Sequence, residues 1–190
     1  MQQPSERRMP RSTISANVAP RSISELLMQH AQYTRDPDAM RRMNPWADRF
    51  VMGLPLAPWQ REFKWDDQQC ERLIQSIWLD LDVGTYLVND VLEFESAISA
   101  EPVTLPYCGI VLDGQQRLTA IERYITGEIA ARDVDGQPCY WRELGVVEQR
   151  RFGRKVFNRA TIQSMDDKVL REVYNLRNYA GTPHLESERA

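Results

Sequence analysis

Residues 110–119 read Ile-Val-Leu-Asp-Gly-Gln-Gln-Arg-Leu-Thr. The apolar run before Asp113 extends back to residue 106 and predicts a strand over 106–112. From residue 115 onward, apolar side chains recur at helical spacing, and Gly127 suits the end of that helix. The stretch is therefore predicted to form a strand, an abrupt turn and an amphipathic helix.

A strand-turn-helix junction of this kind is suited to binding an anion. The first helical turn has amide N–H groups without internal partners, and the helix dipole places partial positive charge there. Gly114 has no Cβ, so a phosphate can approach the backbone closely, and Arg117 offers a planar, permanently charged fork. Asp113 would repel a bare phosphate, which indicates a Mg²⁺ ion, a ribose hydroxyl or a water to be activated.

A purely structural interpretation of the same junction stays open on spacing alone. Asp113 would cap the helix and Gly114 would make the turn. The doubled Gln115 and Gln116 followed by Arg117 are unusual for a plain cap, because they place large polar groups at the helix start.

Residues 54–65 form a second segment of interest. Pro55 and Pro58 exclude a helix interior and favour extended chain around Trp59. Arg61 is a second candidate contact for a phosphate or a base. Trp59 can stack on a nucleobase or pack in the core, whereas Trp65 is expected to pack in the core.

The remaining patterns predict a mixed α and β order in one unit, which is the α+β class with a small mixed sheet and surrounding helices. The predicted elements are a short helix after the capping box that begins at Ser22, a loop or short helix over 36–48, a helix from Asp66 to Gly84, a strand over 86–94, a hairpin turn at Asp135-Gly136, a helix over 143–152, a strand over 156–162 and a last helix from Asp166.

Composition limits the classes of protein and of site. The chain has 190 residues and a net charge of −3, which fits one ordinary domain, predicted over 22–190. No apolar run approaches a membrane span, and the polar start is unlike a secretory signal. Three widely spaced cysteines and two histidines argue against a disulfide framework and a zinc site. A cytoplasmic location is predicted.

The first part of the chain is rich in arginine. Residues 1–21 are predicted to be a disordered basic arm. Two interpretations remain open for it, a solvated tail and a contact to DNA phosphates. The arginines concerned are Arg7, Arg8, Arg11, Arg21, Arg41 and Arg42.

The run Asp113-Gly114-Gln115-Gln116-Arg117, followed by Leu-Thr, resembles the signature of the GmrSD-like N-terminal domain family, found in modification-dependent restriction enzymes. Those domains are similar to the ParB/sulfiredoxin fold, in which the equivalent helix start holds nucleotide phosphates. The resemblance therefore implies that Gly114, Gln115, Gln116 and Arg117 bind nucleotide.

Two further segments extend the resemblance to about residues 22–189. Residues 57–65 are similar to a family segment with Gln60, Arg61 and Trp65 matching, while Trp59 and Phe63 replace tyrosines. Near the end, the resemblance implies that Asn178 is a pocket residue with Arg177 nearby. The alternative for Asn178 is a helix C-cap shared with Gly181.

The function implied is a Mg²⁺-dependent NTP hydrolase. Asp113, Arg117 and Gln60 are the predicted catalytic residues, with Asp113 also the metal ligand. Gly114 to Arg117, Arg61, Trp59 and Asn178 are predicted to bind the nucleotide.

The alternative is a ParB-like module that binds nucleotide or DNA phosphate without turnover, or that acts as a nuclease. A weaker alternative is a phage factor that acts against a host restriction system. No HNH nuclease pattern is present, so a stand-alone single-domain relative is expected, with a homo-oligomer or a separate nuclease subunit as open partners.

Overall fold

A computed structural model describes residues 14–91 and 106–179 of the chain. The helices are α1 (Ile23–Arg35), α2 (Pro37–Met43), α3 (Asp67–Trp78), α4 (Gln115–Ile125), α5 (Val146–Arg154) and α6 (Asp167–Tyr179), with a 3₁₀ turn at Trp141–Glu143. The strands are β1 (Asn17–Ala19), β2 (Phe50–Val51), β3 (Leu54–Pro55), β4 (Thr85–Asn89), β5 (Val111–Asp113), β6 (Ala131–Arg132), β7 (Pro138–Cys139) and β8 (Asn158–Ile162).

The main sheet has four strands in the order β1-β8-β4-β5. β8 and β4 run parallel, while the two outer pairs are antiparallel. Two small hairpins, β2-β3 and β6-β7, lie outside it. The predicted α+β class with a small mixed sheet is confirmed.

The largest cluster of buried side chains joins α3 and α4 to one face of this sheet. Ile74 and Ile77 of α3 pack with Leu118 and Ile121 of α4, and all four are buried. Burying each such side chain contributes roughly 1.5–3 kcal/mol. This packing fixes the start of α4 against β4, and it positions the candidate site.

α3 ends earlier than its apolar spacing predicts. The helix stops at Trp78, and Asp80 adopts a positive φ of 60°. Leu81, predicted to lie on the buried face, is 57% exposed. The prediction that the helix continues to Gly84 is therefore wrong, because the chain leaves the helix to enter β4.

The strand predicted over 106–112 is also shorter than expected. Residues 106–109 form a turn in which Tyr107 and Gly109 have positive φ, and β5 covers only Val111–Asp113. The strand predicted over 86–94 corresponds to β4, and residues 92–94 lie outside the described residues.

The amino-terminal part contains a strand within the predicted arm. β1 pairs antiparallel with β8, with Val18 opposite Ala160. Residues 17–19 therefore belong to the main sheet, and the prediction of disorder over the whole of 1–21 is wrong for them. Residues 1–13 lie outside the described residues. Residues 36–48, predicted to be a loop or a short helix, contain α2. Asp36 is the N-cap of this helix, and its side chain accepts a hydrogen bond from the Ala39 amide at 2.9 Å.

Candidate functional site

The start of α4 depends on Gly114. This residue precedes the helix with φ +97°. A Cβ on it would lie 2.6 Å from the Tyr86 Cβ and 3.0 Å from the Tyr86 Cα, so the close approach of β4 itself requires glycine here. This physical reason differs from the predicted one, which is room for a phosphate.

No side chain caps α4. The Asp113 Oδ1 accepts a hydrogen bond from the Gly114 amide at 2.6 Å and does not reach the first-turn amides. The interpretation of Asp113 as a simple helix cap is therefore wrong. By helix geometry, the amides of the first turn are left for another acceptor.

A pocket of about 150 Å³ lies at this helix start. It brings together all three segments that the sequence singled out, from the loop before α3, from α4 and from α6. Its lining residues are Gln60, Arg61, Trp65, Asp113, Gly114, Gln115, Gln116, Arg117, Tyr174 and Asn178. Of the predicted site residues, only Trp59 does not line it.

Asp113 is neutralised by an arginine of α6. Its Oδ2 accepts hydrogen bonds from the Arg177 Nε at 3.1 Å and from a terminal nitrogen of Arg177 at 2.8 Å. A terminal nitrogen of Arg117 lies 3.7 Å from the same oxygen. The carboxylate therefore sits between two guanidinium groups.

The Arg117 guanidinium is bound to the backbone of the chain entering β4. It donates hydrogen bonds to the Val83 carbonyl at 2.7 Å and to the Thr85 carbonyl at 2.8 Å, and it lies over the Phe157 ring at 5.6 Å. Burial lowers the pKa of Arg117, and the nearby Asp113 opposes that shift. Arg117 lines the pocket, and these two carbonyls use two of its five N–H donors.

Three glutamines line the pocket, and they differ in their bonding. Gln60 and Gln115 are 5% and 6% exposed, and no described residue bonds to either side-chain oxygen. The Gln116 Oε1, in contrast, accepts hydrogen bonds from the Lys64 amide at 2.8 Å and the Trp65 amide at 3.1 Å. Two buried amide oxygens thus lack a partner within the described protein.

Arg61 is the more accessible of the two arginines that line the pocket. Its backbone amide donates to the Tyr174 hydroxyl at 3.3 Å, and its side chain is exposed. Among the residues described, no carboxylate forms an ion pair with the Arg61 guanidinium, unlike those of Arg117 and Arg177.

Trp59 and Asn178 both contact Tyr174 of α6. The Trp59 ring packs edge-on against Tyr174 at 5.0 Å, with the Arg171 guanidinium over it at 5.0 Å. The Asn178 Nδ2 donates to the Tyr174 carbonyl at 2.9 Å and to the Leu112 carbonyl at 3.4 Å. Asn178 lies within α6, so it is not a C-cap, and Gly181 lies outside the described residues.

A family model matches the part of the chain that forms this pocket. The model of the GmrSD restriction endonuclease, N-terminal domain, matches residues 52–187. The chain belongs to this family. The match covers every residue that lines the pocket, and it associates this GmrSD N-terminal domain with restriction systems.

None of the curated proteins compared with this GmrSD N-terminal domain matches it, and none of the solved structures does. The predicted likeness to the ParB/sulfiredoxin fold therefore stays a prediction.

Two residues at the site of the GmrSD N-terminal domain are not recognisable as such from the sequence. The pattern indicates Tyr174 only as part of a helix, and Arg177 only as a neighbour of Asn178. Their spacing carries a signal, because positions 174, 177 and 178 share one face of a helix. What spacing does not reveal is that this face packs on β5, which brings Arg177 to Asp113.

The donor set around Asp113 fits a resident metal ion poorly. Within ranges 14–91 and 106–179, no group of three or more His, Cys, Asp or Glu side chains could hold a metal. Of the residues that the structure describes, Asp113 is the only carboxylate that lines the pocket, and Arg177 occupies its Oδ2. Mg²⁺ prefers several oxygen ligands, and positive guanidiniums beside the carboxylate oppose a second cation.

None of the helices in the described part of the chain is long and apolar enough to cross a membrane.

Proposed function

We propose that this domain binds the phosphate chain of a nucleoside triphosphate in the pocket at the start of α4 and hydrolyses its terminal phosphate. The observation that carries the hydrolytic step is the pair of buried side-chain oxygens on Gln60 and Gln115 that no described residue bonds. Leaving a buried polar group unpaired costs about 1–3 kcal/mol. These oxygens accept hydrogen bonds, so the group that removes this cost is a donor, such as a water molecule held beside the phosphate, and not a phosphate oxygen.

The charges and size of the pocket favour a phosphate chain. Among the described residues, the guanidiniums of Arg61, Arg117 and Arg177 lie at this site with the carboxylate of Asp113, which leaves a local excess of positive charge. Ligand pockets for whole small molecules commonly measure roughly 300–1,000 Å³. At about 150 Å³, this pocket suits phosphate groups, with the nucleoside lying outside it.

The proposed reaction is attack of a water molecule on the terminal phosphorus. The P–O bond to the bridging oxygen of the next phosphate breaks, and the proton of the water passes to Asp113 and then to the released phosphate. The Gln60 and Gln115 amides orient the water, since an amide can both donate and accept. Arg61 and the first-turn amides of α4 stabilise the charge that develops on the phosphate oxygens.

Magnesium, predicted from the sequence at Asp113, would reach this site bound to the nucleotide phosphates, where it neutralises charge. The proposed hydrolysis requires no metal ion held by the protein itself.

The test of turnover is phosphate release from each of the four NTPs, with magnesium and again with excess chelator. The proposal expects release by wild type and a fall of at least about tenfold in Gln60→Ala and in Asp113→Asn. Gln68→Ala, on the exposed face of α3, is the matched control. Absence of release from all four NTPs would remove the catalytic claim.

The size of the pocket also favours a second candidate, a module that binds a DNA phosphate without turnover. A single backbone phosphate fits about 150 Å³, and the exposed Arg61 guanidinium is accessible to a large ligand. Such binding must weaken steeply as salt rises, because counterions are released. Salt-insensitive binding, or none, would remove this candidate; deletion of residues 1–13 tests the contribution of the arginine-rich arm.

A further inference from the structure

Gln116 connects α4 to the loop that carries Arg61. Its Oε1 accepts two backbone hydrogen bonds, from Lys64 and Trp65, and its Nε2 lies 3.4 Å from the Glu62 carbonyl that it donates to. The residue is 8% exposed. A carbonyl oxygen has two lone pairs, so the acceptor capacity of this side chain is filled by the loop.

The loop over residues 60–66 depends on side chains from elsewhere in the fold. It contains no helix or strand. Arg49 donates to the Gln60 carbonyl and the Tyr174 hydroxyl accepts from the Arg61 amide, so these two residues anchor its first half. Gln116 anchors its second half, over residues 62–65.

We infer that Gln116 is a positioning residue, which fixes this loop so that Arg61 lies over the start of α4, and that Gln116 itself does not contact the phosphate. The inference rests on the proposed function. The two adjacent glutamines then have different roles: the Gln115 oxygen, which no described residue bonds, can accept from the attacking water, while Gln116 has both lone pairs bound to Lys64 and Trp65.

A double-mutant cycle separates this role from a direct contact. The affinity for inorganic tripolyphosphate, the probe, is measured for wild type, Gln116→Ala, Arg61→Ala and the double variant. A residue that acts only through Arg61 loses affinity when changed alone, by about fivefold or more, and loses little further once Arg61 is absent. Full additivity of the two losses, or wild-type affinity in Gln116→Ala, would overturn the inference.

Gln116→Glu is the conservative variant. It retains the acceptor for the Lys64 and Trp65 amides, loses the donor to the Glu62 carbonyl and adds a negative charge. The charge by itself weakens tripolyphosphate binding, so this variant is compared by amide hydrogen exchange at Lys64 and Trp65, which is expected to stay closer to wild type than in Gln116→Ala. The variant also keeps the test available if the alanine variant does not fold.

A readout without any ligand distinguishes failure of this inference from failure of the proposed function. Amide hydrogen exchange at Lys64 and Trp65, followed by NMR, is expected to accelerate at least about tenfold in Gln116→Ala and to stay at the wild-type rate in Gln115→Ala. If wild type binds no tripolyphosphate, the proposed function fails while the exchange result still decides whether Gln116 holds the loop. Unchanged exchange in Gln116→Ala would overturn the positioning role.

Discussion

Gly114 shows how a single residue determines the start of α4. Its φ of +97° is unfavourable for other residues, and a Cβ would overlap the Tyr86 side chain. Gly114→Ala is expected to lower the free energy of unfolding by about 2–4 kcal/mol, the sum of left-handed strain and overpacking. The measurement is urea unfolding.

Gly127 is the matched control for this substitution. Its φ is +80°, and no neighbouring atom lies within 4 Å of the position that an alanine methyl group would occupy. Gly127→Ala therefore carries only the conformational cost, about 1–2 kcal/mol. Equal losses in the two variants would show that contact with Tyr86 contributes nothing.

Arg117 and Arg61 are both predicted phosphate contacts, yet their surroundings differ. Arg117→Ala would leave the Val83 and Thr85 carbonyls without their donors, so a loss of about 2–4 kcal/mol of stability is expected along with weaker anion binding. The exposed Arg61→Ala should change stability by less than about 0.5 kcal/mol. Urea unfolding of both variants is the measurement, and a stable Arg117→Ala would contradict the structural role.

Tyr124 is fully buried among Trp78, Trp141 and Phe152, and no described residue bonds its hydroxyl. Burial raises the pKa of this hydroxyl strongly. Tyr124→Phe removes an unpaired polar group and keeps the ring, so stability should stay equal or rise by up to about 1–3 kcal/mol. A fall of more than about 1 kcal/mol in thermal unfolding would mean that the hydroxyl has a partner.

At the scale of elements, the apolar spacing of the sequence predicts which helices exist and is less informative about where they end. Cys70, Leu73, Ile74 and Ile77 are buried as predicted, but the same pattern extends to Leu81 although α3 ends at Trp78. The end is determined by the tertiary requirement that the chain turn into β4, which no local pattern contains. The hairpin at Asp135-Gly136, a strictly local feature, is confirmed between β6 and β7.

α4 also holds the β2-β3 hairpin through Glu122. The Glu122 Oε1 accepts from the Met52 amide at 2.7 Å, and His30 Nε2 lies 3.6 Å away. Burial raises the pKa of Glu122 above its ordinary value of 4.5, although the Met52 amide opposes this. A group whose folded pKa is raised favours folding most below its unfolded pKa, and that contribution is lost as the pH rises through the folded value.

Glu122→Gln keeps an acceptor for the Met52 amide and removes the titration. Relative to wild type, the variant should therefore gain stability as the pH rises from 4.5, the ordinary pKa of a glutamate, toward neutral pH. Urea unfolding across this range is the measurement, with the exposed Glu148→Gln as control. A variant that loses stability relative to wild type as the pH rises would contradict the assigned shift.

At the scale of the whole molecule, the sequence predicts which residues line the pocket better than it predicts the hydrogen bonds and ion pairs between them. Asp113, Arg117, Gln60, Arg61 and Asn178 are all predicted and all line one pocket. Each of these residues lies in a local pattern that the sequence shows, namely a turn, a loop or one face of a helix. The ion pair of Asp113 with Arg177, 64 positions apart, has no local signal because it depends on α6 packing against β5.

Net charge illustrates the same difference of scale. The chain as a whole carries −3, yet the described residues of the site combine three guanidiniums with one carboxylate. The overall charge therefore says little about the ligand, whereas the local excess of positive charge favours an anion.

The most direct test of the central claim is isothermal titration of each NTP into wild type, Arg61→Ala and Arg150→Ala. Arg150 is an arginine on α5 that does not line the pocket, so its variant matches the change in charge. Losing a charge-assisted contact of roughly 1.5–3 kcal/mol should weaken binding at least about tenfold in Arg61→Ala and leave Arg150→Ala close to wild type. Equal affinity in all three proteins, or no binding by wild type, would contradict the assignment of a nucleotide-phosphate site to the start of α4.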